Sequence, residues 1–378
     1  MTDVCYGSLR HARLLEAALA RHLPHPERLP ERVHLALLAG GYERLVRGTP
    51  AHAAVHAWVE VVKRGPGKHG PLAGLVNAVL RRLRPSDLPA PAGAASLPPW
   101  LFERFEAALG SVVAERAALG MLQSEPLWLT ASDPTAARQR LHADAVDVAP
   151  GPLTGSLRVR SPRPLAELAA YREGLVQPQN PASLAVVRAC GDVAGRRVLD
   201  LCGGAGIKAA ALAAAGALVT SVERDAAKLH AGARNATRLG VTIDTLQWDL
   251  RQPPPLEPAA IVLLDAPCSG TGTLRGHPEI APRLTQDALE RLTDLQARLL
   301  HSALTCVAPG GRLVYAVCAL TPDEGPDRVA AALAGDDALR ARSPHLPLPS
   351  VPARGPGCFV LPEDGLDGFY LATLERPA

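Results

Sequence analysis

The chain has 378 residues, of which 47% are hydrophobic and 20% are charged, enough to bury two or three hydrophobic cores. It shows no apolar run long enough to span a bilayer and no secretory signal pattern. Its seven cysteines are odd in number, scattered and without Cys-x-x-Cys spacing, which argues against a disulfide framework or a metal site. We therefore predict a cytoplasmic protein with free thiols, no membrane contact and no bound metal.

Charge is distributed unevenly along the chain. Residues 1–85 contain 13 Lys and Arg against 6 Asp and Glu, a net charge of +7, and the remainder carries −4. A basic module attached to a mildly acidic one indicates a polyanionic partner. Solvated helix faces in an arginine-rich chain explain the charge equally well.

The first half of the chain divides into a helical part and a mixed part. Helical periodicity over residues 8–84 predicts an all-α bundle, and the Pro-, Ala- and Ser-rich segment 85–99 predicts a linker. Residues 100–122 predict a helix or a helix pair. The next segment predicts a small α/β module, with strands at 127–130 and 156–160 and a helix at 135–143.

Apolar strands alternate with helices in the second half. The predicted strands are 197–201, 218–222, 242–247, 261–265 and 311–316. Strands separated by helices indicate βαβ units and a parallel, doubly wound sheet. Ligands of such sheets bind outside the carboxyl ends of the strands.

A glycine-rich run, Cys202–Lys208, follows the first of these strands. Glycine lets the backbone approach a ligand closely, and the helix that follows offers its N-terminus to a negative group. Residues 204–209 also fit the pattern G-x-G-x-x-A, so a dinucleotide-dependent dehydrogenase competes with other nucleotide-binding enzymes here.

Four carboxylates are expected at strand ends along one edge of the sheet, namely Asp200, Glu223, Asp249 and Asp265. Each alone could be a helix cap or a turn residue. Together they frame a nucleoside that carries a cation better than they frame a pyrophosphate.

Two cysteines each follow an apolar strand. Cys268 comes three residues after Asp265, and Cys318 follows 314–317. Consecutive strands are usually neighbours, so both thiols should face one pocket, although a lone free cysteine is more often a buried small hydrophobe. A thiolate that adds to C6 of cytosine makes C5 able to attack a sulfonium methyl group, and Asp265 is placed to hydrogen-bond N3. The dehydrogenase interpretation gives the two thiols no role.

Several separate motifs carry a resemblance to one family. Residues 265–269 (DAPCS), 277–280 (HPEI), 314–318 (VYAVC) and 367–370 (DGFY) resemble the RsmB/Sun group of 16S rRNA (cytosine-C5) methyltransferases. Residues 74–82 (GLVNAVLRR) resemble the last helix of the NusB-like RNA-binding domain of that group.

The resemblance implies roles for particular residues. Cys318 would be the nucleophile, Cys268 would assist product release, and Asp265 would contact cofactor or substrate. S-adenosyl-L-methionine would be the cofactor, with contacts expected from Cys202, Gly203, Gly204, Ala205, Gly206, Ile207, Lys208, Glu223, Asp249 and Asp265. The substrate would be small-subunit ribosomal RNA and not DNA, bound partly by the basic N-terminal domain of a monomer.

The fold implied is multidomain. We expect an all-α NusB-like RNA-binding domain (1–86), a linker and helix (87–122), a small α/β RNA-binding module (123–190) and a Rossmann-like class I methyltransferase domain (191–378).

The sequence also departs from the pattern of the family. Ala205 and Ile207 replace Pro and Gly in the cofactor loop, Val317 and Ala319 replace hydroxyl residues beside Cys318, and Gly325 replaces Asn. A β-branched Ile207 would stand where glycine allows close approach and positive φ. A non-catalytic RNA-binding or ribosome assembly factor is therefore the alternative function. In DNA cytosine methyltransferases the Pro-Cys thiol is the nucleophile, which would exchange the roles of Cys268 and Cys318.

Overall fold

The computed structural model describes residues 2–65, 69–161 and 163–378. Their contacts define two compact units. The first comprises the chain up to Glu106 with Gly110–Ser124 and Leu274–Arg283, and the second comprises Ala107–Leu109, Glu125–Thr273 and Leu284–Ala378. Among the described helices, none combines the length and the apolar character that crossing a bilayer requires.

Helices form the first unit, as the sequence predicts. They pack around a core that includes Leu15, Leu37, Val76 and Leu80, all fully buried. The helices are α1 (Thr2–Arg10), α2 (Ala12–Ala20), α3 (Glu31–Leu45), α4 (Ala51–Arg64), α5 (Ala73–Arg82), α6 (Ala92–Ser96), α7 (Pro99–Leu109) and α8 (Ser111–Met121). The segment 100–122 is thus a helix pair.

The segment predicted as a linker, 85–99, contains the short helix α6, so the prediction was incomplete. Glu115 of α8 accepts hydrogen bonds from the backbone N–H groups of Gly93 and Ala94, at 2.8 and 2.7 Å. The first N–H groups of a helix lack partners within that helix. Here the carboxylate of a later helix supplies the missing hydrogen-bond acceptors. Amino-acid composition alone does not show such a contact.

A four-stranded antiparallel sheet in the order β2-β3-β1-β4 begins the second unit. The two predicted strands and the predicted helix are present, and two short strands were missed. The elements are β1 (Leu127–Thr130), α9 (Pro134–Ala143), β2 (Asp147–Pro150), β3 (Ser156–Arg160), α10 (Ala169–Arg172), β4 (Gln177–Pro178) and α11 (Pro181–Ala189). Leu129, Leu141 and Leu157 are in its core.

A larger mixed sheet of nine strands follows. Its path is β11-β12-β13-β9-β8-β5-β6-β7, with β10 paired to β13. The elements are β5 (Arg197–Leu201), α12 (Ile207–Ala214), β6 (Leu218–Glu223), α13 (Ala226–Leu239), β7 (Asp244–Gln247), β8 (Ala259–Asp265), α14 (Ile280–Arg283), α15 (Gln286–Thr305), β9 (Val307–Val317), α16 (Pro326–Ala334), β10 (Arg340–Arg342), β11 (Val351–Pro352), β12 (Cys358–Val360) and β13 (Phe369–Glu375).

The five predicted strands, β5 to β9, are parallel as expected, and the sheet continues beyond β9 with antiparallel strands that the sequence analysis did not predict. The C-terminal strand β13 pairs antiparallel with β9, from Tyr370 opposite Val317 to Glu375 opposite Arg312. Between β9 and β13 the chain forms α16 and the short strands β10, β11 and β12, and it then enters β13 antiparallel to β9.

Strand order locates the ligand crevice. The chain runs outward from β5 through β6 to β7, then returns to the other side of β5 to form β8 and β9. The switch point therefore lies between β5 and β8. Ligands of open α/β sheets bind outside the carboxyl ends of the strands at such a point.

Arg238 of α13 joins the small sheet module to the larger domain. Its guanidinium donates to the carbonyl oxygens of Tyr171 and Val176 at 2.7 and 2.9 Å, and to the side chains of Gln177 and Asn235. It also stacks on the Tyr171 ring, 4.0 Å from the centroid. Four of these contacts from one half-buried cation, those to Tyr171, Val176 and Gln177, tie the two parts together.

We predict that Arg238→Ala lowers the free energy of unfolding by about 2 kcal/mol or more, because hydrogen bonds to charged groups contribute about 1.5–3 kcal/mol each. Urea unfolding of the full chain measures the change. Arg234→Ala, on the exposed face of the same helix, is the matched control, and we expect it to change stability by less than about 0.5 kcal/mol. An equal effect of the two substitutions would contradict the assignment.

Candidate active site at the carboxyl ends of the strands

The loop after β5 has the backbone conformation of a close-approach site. Cys202, Gly204 and Gly206 have φ values of +60°, +57° and +72°, and Gly206 caps α12. A Cβ at Gly206 would be 3.3 Å from Cα of Gly232 on α13. A non-glycine residue at positive φ costs conformational energy and tends to occur at functional sites. The positive φ of Cys202 therefore identifies this loop as part of a candidate functional site.

Glu223 holds the loop in place from the end of β6. Its two carboxylate oxygens accept hydrogen bonds from the backbone N–H groups of Gly204 and Asp225, each at 3.0 Å. The acidic side chain predicted from the sequence is therefore both a wall of the site and a support for the glycine-rich loop.

A cleft of about 320 Å³ opens above these strand ends. Its lining brings together seven of the residues predicted from the sequence, namely Cys202, Gly204, Glu223, Asp249, Asp265, Cys268 and Cys318. Trp248, Leu250 and Leu299 add an apolar wall that the sequence analysis missed. The sequence contained one signal for this apolar wall, because Trp248 comes one residue before Asp249, a carboxylate predicted at a strand end.

Asp249 stands at the rim of the cleft and pairs with Arg251. The guanidinium approaches the carboxylate to 2.5 Å, and its hydrogen bonds hold the pKa of Asp249 below its usual value. Asp249 therefore offers a negative charge to the cleft at neutral pH.

The expectation for Ile207 was wrong. Ile207 begins α12 and is not among the residues with positive φ, a conformation that Gly204 and Gly206 supply instead. Ile207 lines a different cavity of about 210 Å³, together with Leu184, Val187 and Ala210. Ile207, one of the substitutions that motivated the non-catalytic alternative, is therefore not among the residues that line the cleft.

Asp200 also departs from expectation, because it does not stand at the edge of the sheet with the other three carboxylates. It is fully buried beneath the loop, where Ser221 donates to its Oδ2 at 3.2 Å. Its Oδ1 has no hydrogen-bond partner among the described residues. Burial, reinforced by the negative charge of Asp265, raises the pKa of Asp200 to about 7.

Lys208 reaches from α12 to the catalytic side of the cleft. Its Nζ lies 2.5 Å from Oδ2 of Asp265 and 5.6 Å from the centre of the Phe369 ring. Burial lowers the pKa of Lys208, but the charge and hydrogen bond of Asp265 outweigh it, and the net shift is upward. Lys208 is thus a cation beside Asp265, and this geometry was not evident from its position in the loop.

The two predicted cysteines meet. The Sγ atoms of Cys268 and Cys318 are 3.3 Å apart, because β8 and β9 are parallel neighbours. The hydrogen bond to Cys318, followed by burial, raises the pKa of Cys268 well above its usual value. Cys268 therefore holds its proton, and the two sulfurs share one hydrogen bond in which either thiol can be the donor.

Known proteins resemble the chain over nearly its whole length. Residues 191–375 match the model of the 16S rRNA methyltransferase RsmB/F family, and residues 1–85 match the NusB family. Ribosomal RNA small subunit methyltransferase B of Thermus thermophilus is 45% identical over 375 residues, which cover 99% of this chain and 88% of that protein. The chain belongs to the RsmB/F methyltransferase family.

Other members and solved structures agree. Ribosomal RNA small subunit methyltransferase B of Klebsiella pneumoniae (MGH 78578) is 31% identical. The match covers 100% of this chain and 89% of that protein. The crystal structure of PH0851 has a TM-score of 0.78 at 22% identity, covering 99% and 89%. NSun6 from Pyrococcus horikoshii with SFG has a TM-score of 0.66 at 17% identity, covering 74% and 98%. These structural likenesses show a shared fold.

The buried acid of this RsmB/F protein generates a pH prediction. Because the folded pKa of Asp200, about 7, exceeds the unfolded value of 3.8, the folded state binds more protons between these values and loses stability as pH rises through that window. We predict that the stability of Asp200→Asn relative to wild type increases by about 3 kcal/mol from pH 4 to pH 7. Urea unfolding across this range measures it, and a pH-independent difference would contradict the assignment.

Proposed function

We propose that this chain methylates C5 of cytosine in small-subunit ribosomal RNA, with S-adenosyl-L-methionine as methyl donor and Cys318 as covalent nucleophile. The observation that carries the proposal is the meeting of Cys268 and Cys318 at 3.3 Å in a cleft that is also lined by Asp265, the partner of Lys208, and by Cys202 and Gly204 of the glycine-rich loop.

The cleft suits the proposed cofactor in size and chemistry. Its volume, about 320 Å³, is within the range of small-molecule sites, about 300–1,000 Å³. Glu223 can accept hydrogen bonds from ribose hydroxyls, Asp249 adds negative charge, and Trp248 and Leu250 offer an apolar surface to a base. When bound, S-adenosyl-L-methionine supplies an electrophilic methyl group.

Cys318 begins the proposed reaction by adding its sulfur to C6 of the cytosine ring. The thiolate is the form of a cysteine that reacts, and the cation of Lys208 lies beside Asp265 at the end of the neighbouring strand. Addition places negative charge on the ring, and C5 becomes nucleophilic.

Asp265 is proposed to act on the other side of the base. Its carboxyl group ends β8 beside Cys268 and is held by Lys208 at 2.5 Å. The Lys208 ammonium can pass a proton through this carboxylate to N3, which leaves Lys208 neutral and neutralises the charge that develops on the ring during addition.

Cys268 is proposed to assist release of the product. After C5 is methylated, it must lose its proton before the bond between Cys318 and C6 can break. Cys268 first gives its own proton to solvent, and its thiolate, a strong base because its pKa is raised, then takes the proton from C5 as the Cys318 thiolate leaves C6. Its sulfur lies 3.3 Å from that of Cys318. Cys268 therefore acts after Cys318.

The RNA is proposed to contact more than the catalytic domain. We propose the division into an RNA-binding domain (1–86), a linker and helix (87–122), a small RNA-binding module (123–190) and a methyltransferase domain (191–378). The net charge of +7 over residues 1–85 and the NusB family match support contacts between the first domain and phosphates.

We predict that Cys318→Ala abolishes methyl transfer, because no sulfur remains to add to C6. Cys268→Ala should accumulate a covalent adduct with RNA, because addition proceeds and release does not. Labelled S-adenosyl-L-methionine and unmodified small-subunit rRNA measure transfer, and denaturing gels measure the adduct. Cys306→Ala, which removes a buried thiol just before the start of β9, at the strand end opposite Cys318, is the control. An adduct that requires Cys268 and not Cys318 would exchange the two roles.

We predict that Glu223→Gln weakens S-adenosyl-L-methionine binding about tenfold or more, because it removes a charged acceptor from the cleft and from the loop amides. Ile207→Ala should change the dissociation constant by less than about threefold, since Ile207 lines the other cavity. Isothermal titration calorimetry without RNA measures both. Weaker binding in Ile207→Ala alone would show that the cofactor occupies a different site.

A further inference from the structure

The loop that carries Cys268 is held on both sides of that residue. Before it, the carbonyl oxygen of Pro267 accepts a hydrogen bond from Nε2 of Gln296 at 2.9 Å. After it, the backbone N–H of Ser269 donates to Oε1 of Glu324 at 2.7 Å. Gln296 also donates to the same oxygen of Glu324 at 3.0 Å. One connected pair of side chains therefore brackets the cysteine.

Glu324 is a carboxylate with no exposure to solvent. Besides Ser269 N–H and Gln296, it accepts hydrogen bonds from Ser269 Oγ at 2.6 Å and from Thr321 Oγ1 at 2.9 Å. Burying a charged group is costly unless hydrogen bonds compensate it. Four donors satisfy this one, so its position and that of the Ser269 backbone are fixed together.

Neither Glu324 nor Gln296 is among the residues that line the cleft in the described part of the chain. Gln296 is fully buried on α15, and Glu324 follows β9. They do not contact the reacting atoms and can influence the chemistry only through the loop that they hold.

Other hydrogen bonds tie the loop to β9 at its ends. Ala266 N–H donates to the carbonyl oxygen of Ala316 at 3.0 Å, and Gly272 N–H donates to that of Cys318 at 2.9 Å. Between these anchors, the bonds to Gln296 and Glu324 set where the backbone on either side of Cys268 lies. Without them, the thiol would no longer be fixed against Cys318.

We propose that Glu324 and Gln296 are positioning residues that hold Cys268 against Cys318 for product release. The inference rests on the proposed function, because it assumes that Cys268 acts in release. It assigns that step to a buried network as well as to the thiol itself.

Two disruptive variants and one conservative variant test the kinetic part. Glu324→Ala and Gln296→Leu should slow turnover about 10- to 100-fold, as expected for a displaced catalytic group, and accumulate the covalent RNA adduct although Cys268 is present. The KM for S-adenosyl-L-methionine should change less than about threefold. Glu324→Gln should retain most of the activity, because its amide oxygen can accept from Ser269 N–H while its NH₂ group donates to the two hydroxyls.

A chemical reaction of the two thiols measures their geometry without RNA or cofactor. Diamide oxidises a pair of adjacent thiols to a disulfide and takes up their two protons and two electrons. We expect the Cys268–Cys318 disulfide, identified by peptide mapping in a Cys5→Ser background, to form at least about tenfold more slowly in Glu324→Ala and Gln296→Leu than in wild type. Glu324→Gln should be within about threefold of wild type.

Leu141→Ala is the control for loss of stability, because Leu141 is fully buried in the small module and its truncation should cost about 2–5 kcal/mol. All variants are compared at a temperature where each is folded, and Leu141→Ala should leave disulfide formation unchanged. Unchanged disulfide formation in Gln296→Leu and Glu324→Ala would overturn the positioning role. Slow disulfide formation together with no adduct in Cys268→Ala would uphold the positioning role and instead refute the proposed release function.

Discussion

The parallel pairing of β8 with β9 is the constraint on which the site depends. Asp265 pairs with Ala316 in this ladder, and parallel strands end at the same edge of a sheet. Cys268 lies three residues beyond the first strand end and Cys318 two residues beyond Ala316, so the sulfurs meet at 3.3 Å. A shift of the register would separate the thiols and move Asp265 away from Lys208.

Acidic side chains cluster near the same edge of the sheet, and their different surroundings give them different roles. Asp265 has a cation 2.5 Å away, Asp249 is paired with Arg251 at the rim, and Asp200 lies buried with a pKa raised by burial and by Asp265. Glu324 is satisfied by neutral donors alone. Four acidic groups within one region thus have different roles: Asp265 pairs with Lys208, Asp249 pairs with Arg251 at the rim, Asp200 is a buried acid, and Glu324 holds the loop that carries Cys268.

Local sequence signals were sufficient for the helices, the five parallel strands and the residues that follow strand ends, because apolar periodicity and glycine spacing are local properties. Glu324 could not be found this way, since its four partners come from segments up to 55 residues away. Ile207 was misjudged because a family pattern gives residue order but not φ. Short antiparallel strands such as β2 and β12 carry too few residues for a period to be recognised.

The most direct test of the central claim identifies which sulfur bonds to the base. A small-subunit rRNA fragment that contains 5-fluorocytidine should trap the wild-type protein in the presence of S-adenosyl-L-methionine, because fluorine at C5 cannot leave as the proton does. Protease digestion and mass spectrometry then locate the nucleotide. Attachment to the peptide that contains Cys318 is the predicted result, and attachment to the peptide that contains Cys268 would contradict the assignment of the nucleophile.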